Sequence, residues 1–212
     1  METTTQKKIY NLIILDESGS MDTIKNETIF GFNELGFKIQ GSQKMFPNQS
    51  HFITLVTFND NGVKYRLINR PINEYKVINE NLFNPQGKTP LYDAICRSVL
   101  KLKHDLYYEK DYNVLVTIIT DGEENDSKEF GLTETRVMIE HLSENSNWAF
   151  GLIGANIDVD SVACSLSIPI KRTIKFDAND NSVKEMFDRY GKAQEKLALI
   201  IDDDGDCDDL PF

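Results

Sequence analysis

Short apolar runs alternate along the chain with longer segments whose apolar residues recur every three or four positions. Runs such as 9–15 and 114–119 are almost uninterrupted, which is typical of strands buried on both faces of a sheet. We predict strands at 8–15, 51–58, 63–68, 114–120, 148–153 and 170–176. The third follows the turn signal Asn61-Gly62, which predicts antiparallel pairing with the second.

Between the predicted strands, apolar residues recur at helical spacing. Ile24, Phe32, Leu35 and Ile39 recur on one helical face, for example. We predict helices at 22–45, 91–107, 132–143, 158–165 and 181–200. The alternation predicts an α/β fold, doubly wound, with a mostly parallel six-stranded sheet, one antiparallel edge strand and helices on both faces. In such folds ligands bind beyond the carboxyl ends of the strands.

Oxygen-bearing side chains follow two of the predicted strands. Asp16-Glu17-Ser18-Gly19-Ser20 ends the first strand, and Asp121 lies in Thr120-Asp121-Gly122 after the strand 114–120. Thr89 lies in a loop that opens a helix. Carboxylates and hydroxyls are the hard donors that Mg²⁺ and Mn²⁺ prefer. A second interpretation of the first motif is a helix N-cap near Asp22.

Two further interpretations concern the same loops. Gly87-Lys88-Thr89 is similar to the end of a phosphate-binding loop, but Leu82 stands where that loop needs glycine, which excludes nucleotide binding there. Glu123, Glu124 and Asp126 are expected to form a solvated acidic loop rather than to add metal ligands.

Asp-x-Ser-x-Ser, Gly-x-Thr-Pro and Thr-Asp-Gly in this order resemble the metal-ion-dependent adhesion site of von Willebrand factor A (vWA) domains. The resemblance covers roughly residues 8 to 200 and implies a protein-binding module rather than an enzyme. It implies that Mg²⁺, or else Mn²⁺, is the cofactor, with one coordination position open for an Asp or Glu of a protein partner. The implied metal ligands are Asp16, Ser18, Ser20, Thr89 and Asp121.

Length, apolar runs and cysteine spacing limit the cellular compartments in which we expect the protein. The 212 residues suffice for one domain, no apolar stretch is long enough for a membrane span, and the first eight residues lack a signal-peptide pattern. Cys96, Cys164 and Cys207 are widely spaced, which suits free thiols. We therefore expect a cytoplasmic protein without a membrane partner.

The formal net charge of −11 is concentrated at one end of the chain. Without the six Asp of 202–212, 28 acidic side chains remain against 23 basic ones. Neither part has the basic footprint of direct nucleic-acid binding. We predict a vWA-like domain at 1–200 and an acidic, disordered tail at 201–212, because so acidic a segment cannot pack alone.

The end of this tail resembles the acidic tip of bacterial single-stranded DNA-binding proteins. The resemblance covers only the last five or six residues and the acidic run before them. It implies docking on DNA repair or replication proteins, with the Phe ring in an apolar pocket and the Asp residues on a basic rim. The partner-binding residues would be Asp208, Asp209, Leu210, Pro211 and Phe212.

Two other functions stay open at this stage. In one, the domain is a scaffold subunit of an ATPase-chaperone or stress-response assembly, and the tail only keeps it soluble. In the other, the carboxylate-rich crevice belongs to a metal-assisted hydrolase, although no catalytic Ser-His-Asp or Cys-His arrangement is apparent.

Overall fold

One six-stranded sheet organises the part of the chain that the computed structural model describes, residues 6–144, 147–203, 205 and 210–212. The strand order is β3-β2-β1-β4-β5-β6. Every neighbouring pair is parallel except β2 and the edge strand β3, which form a hairpin. The strands are β1 (Lys7–Asp16), β2 (Gln49–Asn59), β3 (Gly62–Pro71), β4 (Tyr112–Thr120), β5 (Trp148–Ala155) and β6 (Thr173–Phe176).

Five α-helices cover the sheet within these residues. They are α1 (Lys25–Met45), α2 (Leu91–Asp105), α3 (Leu132–Ser143), α4 (Val159–Ser165) and α5 (Asp180–Asp202). Short 3-10 turns occupy Gly19–Ile24, Ile72–Glu74 and Ile170–Arg172. No helix among the described residues combines the length and the apolar character that crossing a membrane requires.

The alternation of side chains along the strands produces two apolar cores. On β1, Ile13 joins a core completed by α1 and α5, whereas Leu12 and Ile14 join the core under α2, α3 and α4. Each fully buried Leu or Ile stabilises the fold by roughly 1.5–3 kcal/mol relative to an exposed one. Both faces of the central strands are therefore mainly apolar, with buried polar side chains such as Asn11 and Thr117 as exceptions within the strands.

The predicted α/β fold with one antiparallel edge strand is confirmed. Two elements begin three residues later than predicted. The helix expected from residue 22 is preceded by a 3-10 turn, Gly19–Ile24, before α1 begins at Lys25. The strand expected from 170 begins at Thr173, because Ile170–Arg172 form a 3-10 turn in which Arg172 N donates to Pro169 O.

The proposed boundary at residue 200 stays a prediction. Helix α5 continues to Asp202, and the last three residues of the predicted tail, 210–212, lie against the domain. Residues 204 and 206–209 lie outside the described residues.

Candidate metal centre

The ends of β1 and β4 bring together side chains that are about a hundred positions apart. The two strands are parallel neighbours, with Leu15 opposite Ile119, so Asp16 and the Asp121 turn emerge side by side. Ser20 Oγ donates to Asp121 Oδ1 at 2.6 Å, which closes the gap directly. Ser18 Oγ lies 3.1 Å from Ser20 Oγ.

Asp16 is fully buried and held by two hydrogen bonds. Its Oδ1 accepts from the backbone N–H of Ser18 at 2.7 Å, and its Oδ2 accepts from Thr120 Oγ1 at 2.6 Å. Thr120 Oγ1 also accepts from Gly122 N at 3.1 Å, so one hydroxyl fixes both Asp16 and the Asp121 turn. Sequence reasoning did not assign Thr120 a role, although it stands inside the Thr-Asp-Gly motif.

Thr89, in the loop before α2, also lies beside the Asp121 turn. Its N–H donates to Asn125 Oδ1 at 2.9 Å and its carbonyl accepts from Asn125 N at 3.1 Å. Its hydroxyl lies so close to Gly122 that a Cβ there would sit 3.1 Å from Thr89 Oγ1. A larger residue at 122 would therefore displace the hydroxyl from the Asp121 turn.

All five predicted ligands thus lie together, and we call them the Asp16 site: Asp16, Ser18, Ser20, Thr89 and Asp121. Four of the five are buried and Ser20 is exposed, so the site opens to solvent on the Ser20 side. The side chain of Ser18 makes no capping bond to the following turn, contrary to the N-cap interpretation.

The electrostatics of the Asp16 site favour a cation. Burial raises the pKa of Asp16 to about 6 and also raises that of Asp121, because desolvation penalises the charged carboxylates. Asp121 Oδ2 is buried without a hydrogen-bond partner. A divalent cation would give this oxygen a partner and offset the charge of both carboxylates, so the donor set fits Mg²⁺ or Mn²⁺.

Three hydroxyl groups complete the donor set of the site. Within the described residues no three His, Cys, Asp or Glu side chains gather where they could hold a metal. The site offers two carboxylates, so a cation held there would find its other side-chain donors in the hydroxyls of Ser18, Ser20 and Thr89.

Glu17, between two predicted ligands, has a role that the sequence did not reveal. It is fully buried and points away from its neighbours into an ion cluster on β2 and β3. Its carboxylate accepts from Arg66 Nη2 at 2.9 Å, Lys64 Nζ at 3.1 Å and Thr57 Oγ1 at 3.0 Å. It also accepts from Asn84 N at 2.7 Å, which ties the loop before Thr89 to the first motif. Glu17 is therefore a positioning residue.

The acidic loop after β4 is held to α2 by carboxylates. Glu124 accepts from Tyr92 N, at the start of α2, at 3.0 Å and from Ser127 N at 2.6 Å. Asp93 accepts from the N–H groups of Lys128, Glu129 and Phe130. Burial alone would raise the pKa of Asp93, but these amides lower it. Glu123 is exposed, as expected of a solvated loop, whereas Glu124 is a structural clamp.

The predicted partner-binding residues lie elsewhere in the fold. Leu210 is fully buried in the core under α1 and α5, and Phe212 packs against the same core. They contact the turn that precedes β6, whereas the Asp16 site is at the carboxyl ends of β1 and β4. Asp208 and Asp209 lie outside the described residues.

Known structures share this architecture. No protein-family model and no curated protein matches the sequence. Among solved structures, proximal thread matrix protein 1 from the mussel byssus matches with a TM-score of 0.58 and 13% identity, over 89% of this chain and 46% of that one. The chain thus spans about half the length of the mussel protein.

Two further matches are to a VWA domain and to a metal-loaded protein. The SpRpn10 VWA domain has a TM-score of 0.52 and 11% identity, over 87% of this chain and 95% of that one. Manganese-loaded TRAP protein from Plasmodium vivax has a TM-score of 0.54 and 16% identity, over 86% and 72%. At such identities the likeness concerns the fold alone. The chain has the fold of von Willebrand factor A domains.

Proposed function

We propose that this chain is a protein-binding module whose Asp16 site holds Mg²⁺ and, through it, a carboxylate of a protein partner. The two carboxylates and three hydroxyls of the site would hold the cation. When bound, the cation supplies an open coordination position for an Asp or Glu side chain. The exposed position of Ser20 gives a partner access to it.

One observation carries this proposal. Asp121 presents a buried oxygen, Oδ2, without a hydrogen-bond partner, while its other oxygen is held by Ser20. Leaving a buried carboxylate oxygen unpaired is unfavourable by roughly 1–3 kcal/mol or more, so such an atom calls for a ligand. A cation bridging Asp121 to the hydroxyls would satisfy it.

The choice of metal follows from the donors. Oxygen-only sites suit Mg²⁺ and Mn²⁺, and they do not favour softer metals that need imidazole or thiolate. The TRAP structure with this fold is manganese-loaded, which supports using Mn²⁺ as a spectroscopic substitute for Mg²⁺ in this chain.

We also propose a second docking element, the acidic tip that ends in Leu210, Pro211 and Phe212. It would bind DNA repair or replication proteins in the cytoplasm, and neither it nor the Asp16 site would catalyse a reaction. In the structure Leu210 is buried in its own domain, so docking on a partner requires its release.

The same burial favours one alternative, in which the domain alone is a scaffold subunit of an ATPase-chaperone or stress-response assembly. In that case the tip stays with its own domain. The two functions differ in whether any partner depends on Phe212.

The test is a quantitative pull-down from bacterial lysate in Mg²⁺ and in EDTA. It compares the intact chain, Asp121→Ala and Phe212→Ala. We expect one set of proteins to be lost both in EDTA and with Asp121→Ala, and a second set, DNA-maintenance enzymes, to be lost only with Phe212→Ala. Loss of partners in EDTA together with no partner lost in Phe212→Ala would support the scaffold alternative. Identical partner lists in every sample would contradict the proposal.

A further inference from the structure

A short groove lies beside β5 where β6 has not yet begun. The pairing of β5 with β6 starts at Leu152 opposite Thr173, and Gly151 is the residue before it. The Leu-Pro-Phe segment, residues 210–212, lies at this point. Phe212 N donates to Lys171 O at 2.9 Å, and Arg172 Nε donates to Leu210 O at 3.2 Å. Two hydrogen bonds therefore fix the backbone of the segment to the turn before β6.

The groove is shaped to the ring of Phe212. A Cβ at Gly151 would lie 2.1 Å from two atoms of that ring, so only glycine leaves room for it. On the other side, the ring of Tyr190 from α5 lies 5.7 Å from the Phe212 ring, centroid to centroid, at an interplanar angle of 41°. The ring, which is partly buried, thus lies between Gly151 of β5, which has no side chain, and Tyr190 of α5.

Polar and apolar contacts act on the same three residues. Leu210 is fully buried, and Arg172 is 1% exposed although it carries a guanidinium. A buried charge is unfavourable unless it is hydrogen-bonded, and Arg172 donates to the segment. Lys171 and Arg172 also give this turn a positive charge, which complements the acidic sequence that precedes Leu210. We call Gly151, Lys171, Arg172 and Tyr190 the β5–α5 groove.

We infer that the β5–α5 groove is a binding site for an acidic peptide ending in Leu-Pro-Phe, and that its resident ligand is this chain's own segment 210–212. The groove therefore competes with any partner pocket for the same tip. This inference rests on the proposed function in one respect: that function supplies the partner that would bind the released tip. The groove itself requires neither Mg²⁺ nor an enzyme.

The length of chain between α5 and Leu210 sets how strongly the groove competes with a partner for the tip. Only seven residues separate the end of α5 at Asp202 from Leu210. A ligand on so short a link has an effective concentration in the millimolar range or above. A partner present at micromolar concentration must therefore bind the tip much more tightly than the groove does. The groove sets a threshold affinity for partners of the tip.

The first experiment removes the resident ring and offers the ligand as a separate molecule. The probe is a fluorescein-labelled peptide with the sequence of residues 203–212 and Ser in place of Cys207, titrated against the full-length Phe212→Ala chain. We expect saturable binding by fluorescence anisotropy, and at least tenfold weaker binding to the intact chain, whose groove is filled. A peptide ending in Leu-Pro-Ala is the matched control and should not bind. Absence of binding to folded Phe212→Ala at millimolar concentration would overturn the inference.

A second measurement does not depend on the folding of that variant. It uses the full-length chain with 4-fluorophenylalanine at position 212, observed by ¹⁹F NMR. We expect one shifted signal from the enclosed ring, which moves to the position of the free peptide in the Gly151→Ala chain. Excess unlabelled peptide should move the signal of the fluorinated chain that retains Gly151 in the same direction. A signal at the free-peptide position from the start, or one that excess peptide leaves unmoved, would refute an exchangeable site.

Size-exclusion chromatography distinguishes binding of the segment to its own chain from binding to a second copy. A dimer of the intact chain that disappears with Phe212→Ala would assign the groove to the segment of a second copy and would overturn binding in cis. A monomer in both cases supports it, because exchanging identical segments between copies gains no contacts while association loses entropy. None of these readouts requires a cation, so this inference and the metal proposal can fail separately.

Discussion

Ser20 Oγ donates a 2.6 Å hydrogen bond to Asp121 Oδ1, which joins the turn after β1 to the turn after β4. The other oxygen of Asp121 is buried and has no hydrogen-bond partner. The parallel pairing of β1 with β4 brings these two turns together. The proposed metal site depends on this relationship.

Thr120→Val tests how Asp16 is held. The substitution keeps the shape of the side chain but removes the hydroxyl that donates to Asp16 Oδ2. Partners that orient a metal ligand typically contribute 10- to 100-fold to metal affinity, so we expect Mg²⁺ binding to weaken by about 10-fold. Thr173→Val, whose hydroxyl contacts only the Ile170 carbonyl, should leave Mg²⁺ affinity unchanged. Equal Mg²⁺ affinities in both variants would contradict a role for Thr120 in orienting Asp16 for the cation.

Glu17→Gln tests the ion cluster beneath the first motif. The substitution leaves Arg66 and Lys64 without their buried counter-charge. Breaking a buried pair on one side typically costs about 3–5 kcal/mol, and partial exposure of the two cations places this case near the lower end. Urea unfolding measures the loss. Glu74→Gln, which breaks the exposed pair with Arg70, should leave the free energy of unfolding nearly unchanged.

His51 gives the stability a defined pH dependence. Burial lowers its pKa from 6.5 to about 4, so the folded chain keeps His51 neutral while the unfolded chain protonates it. The unfolded state then binds more protons between these values, and stability falls as the pH drops from about 6.5 to 4. The shift corresponds to a loss of about 3 kcal/mol, present in full below pH 4.

The control for this pH effect is a comparison of variants. The pKa of Asp16, raised to about 6, changes stability in the opposite direction over part of the same window, so the absolute slope is a sum. Between pH 7 and pH 4 the free energy of unfolding should fall by about 3 kcal/mol less in His51→Gln than in the parent chain, whatever the sign of the parent's own change. His104→Gln, at an exposed position, should behave like the parent. Parallel pH profiles for all three chains would contradict the assignment to His51.

Gly151→Ala and Phe212→Ala should be strongly coupled. In the intact chain the new Cβ meets the Phe212 ring at 2.1 Å, and overpacking of this kind costs about 1–3 kcal/mol. In the Phe212→Ala background the ring is gone, so Gly151→Ala should be close to neutral. A double-mutant cycle measured by thermal unfolding gives the coupling. Gly41→Ala in α1, where a Cβ meets nothing within 4 Å, should instead stabilise by up to about 1 kcal/mol.

Local patterns in the sequence were sufficient to predict the sheet and the meeting of Asp16 with Asp121, whereas the full set of five ligands came from the resemblance to vWA domains and stays a prediction. The apolar runs marked β1 and β4, and Asp16 and Asp121 follow them directly, so their meeting follows from parallel pairing. The role of Glu17 was not predictable, because its partners Arg66 and Lys64 lie on β3 and nothing in their spacing indicates a contact.

The packing of the Phe212 ring beside Gly151 could not be predicted for a similar reason. The acidic residues before it predict a segment that cannot pack alone, and composition does not show that Gly151 leaves a space for its ring. Such long-range fits of one side chain into the gap left by another arise from the tertiary structure rather than from local sequence.

The most direct test of the central claim is a Mn²⁺ titration followed by electron paramagnetic resonance, with Mg²⁺ as competitor. We expect the intact chain to bind one equivalent of Mn²⁺, to release it to Mg²⁺, and to bind at least 10-fold more weakly after Asp121→Ala or Ser20→Ala. Glu123→Ala, which removes an exposed carboxylate two residues from Asp121, should bind like the intact chain. Equal binding by the intact chain and the Asp121→Ala chain, or no binding by either, would contradict a metal centre at this site.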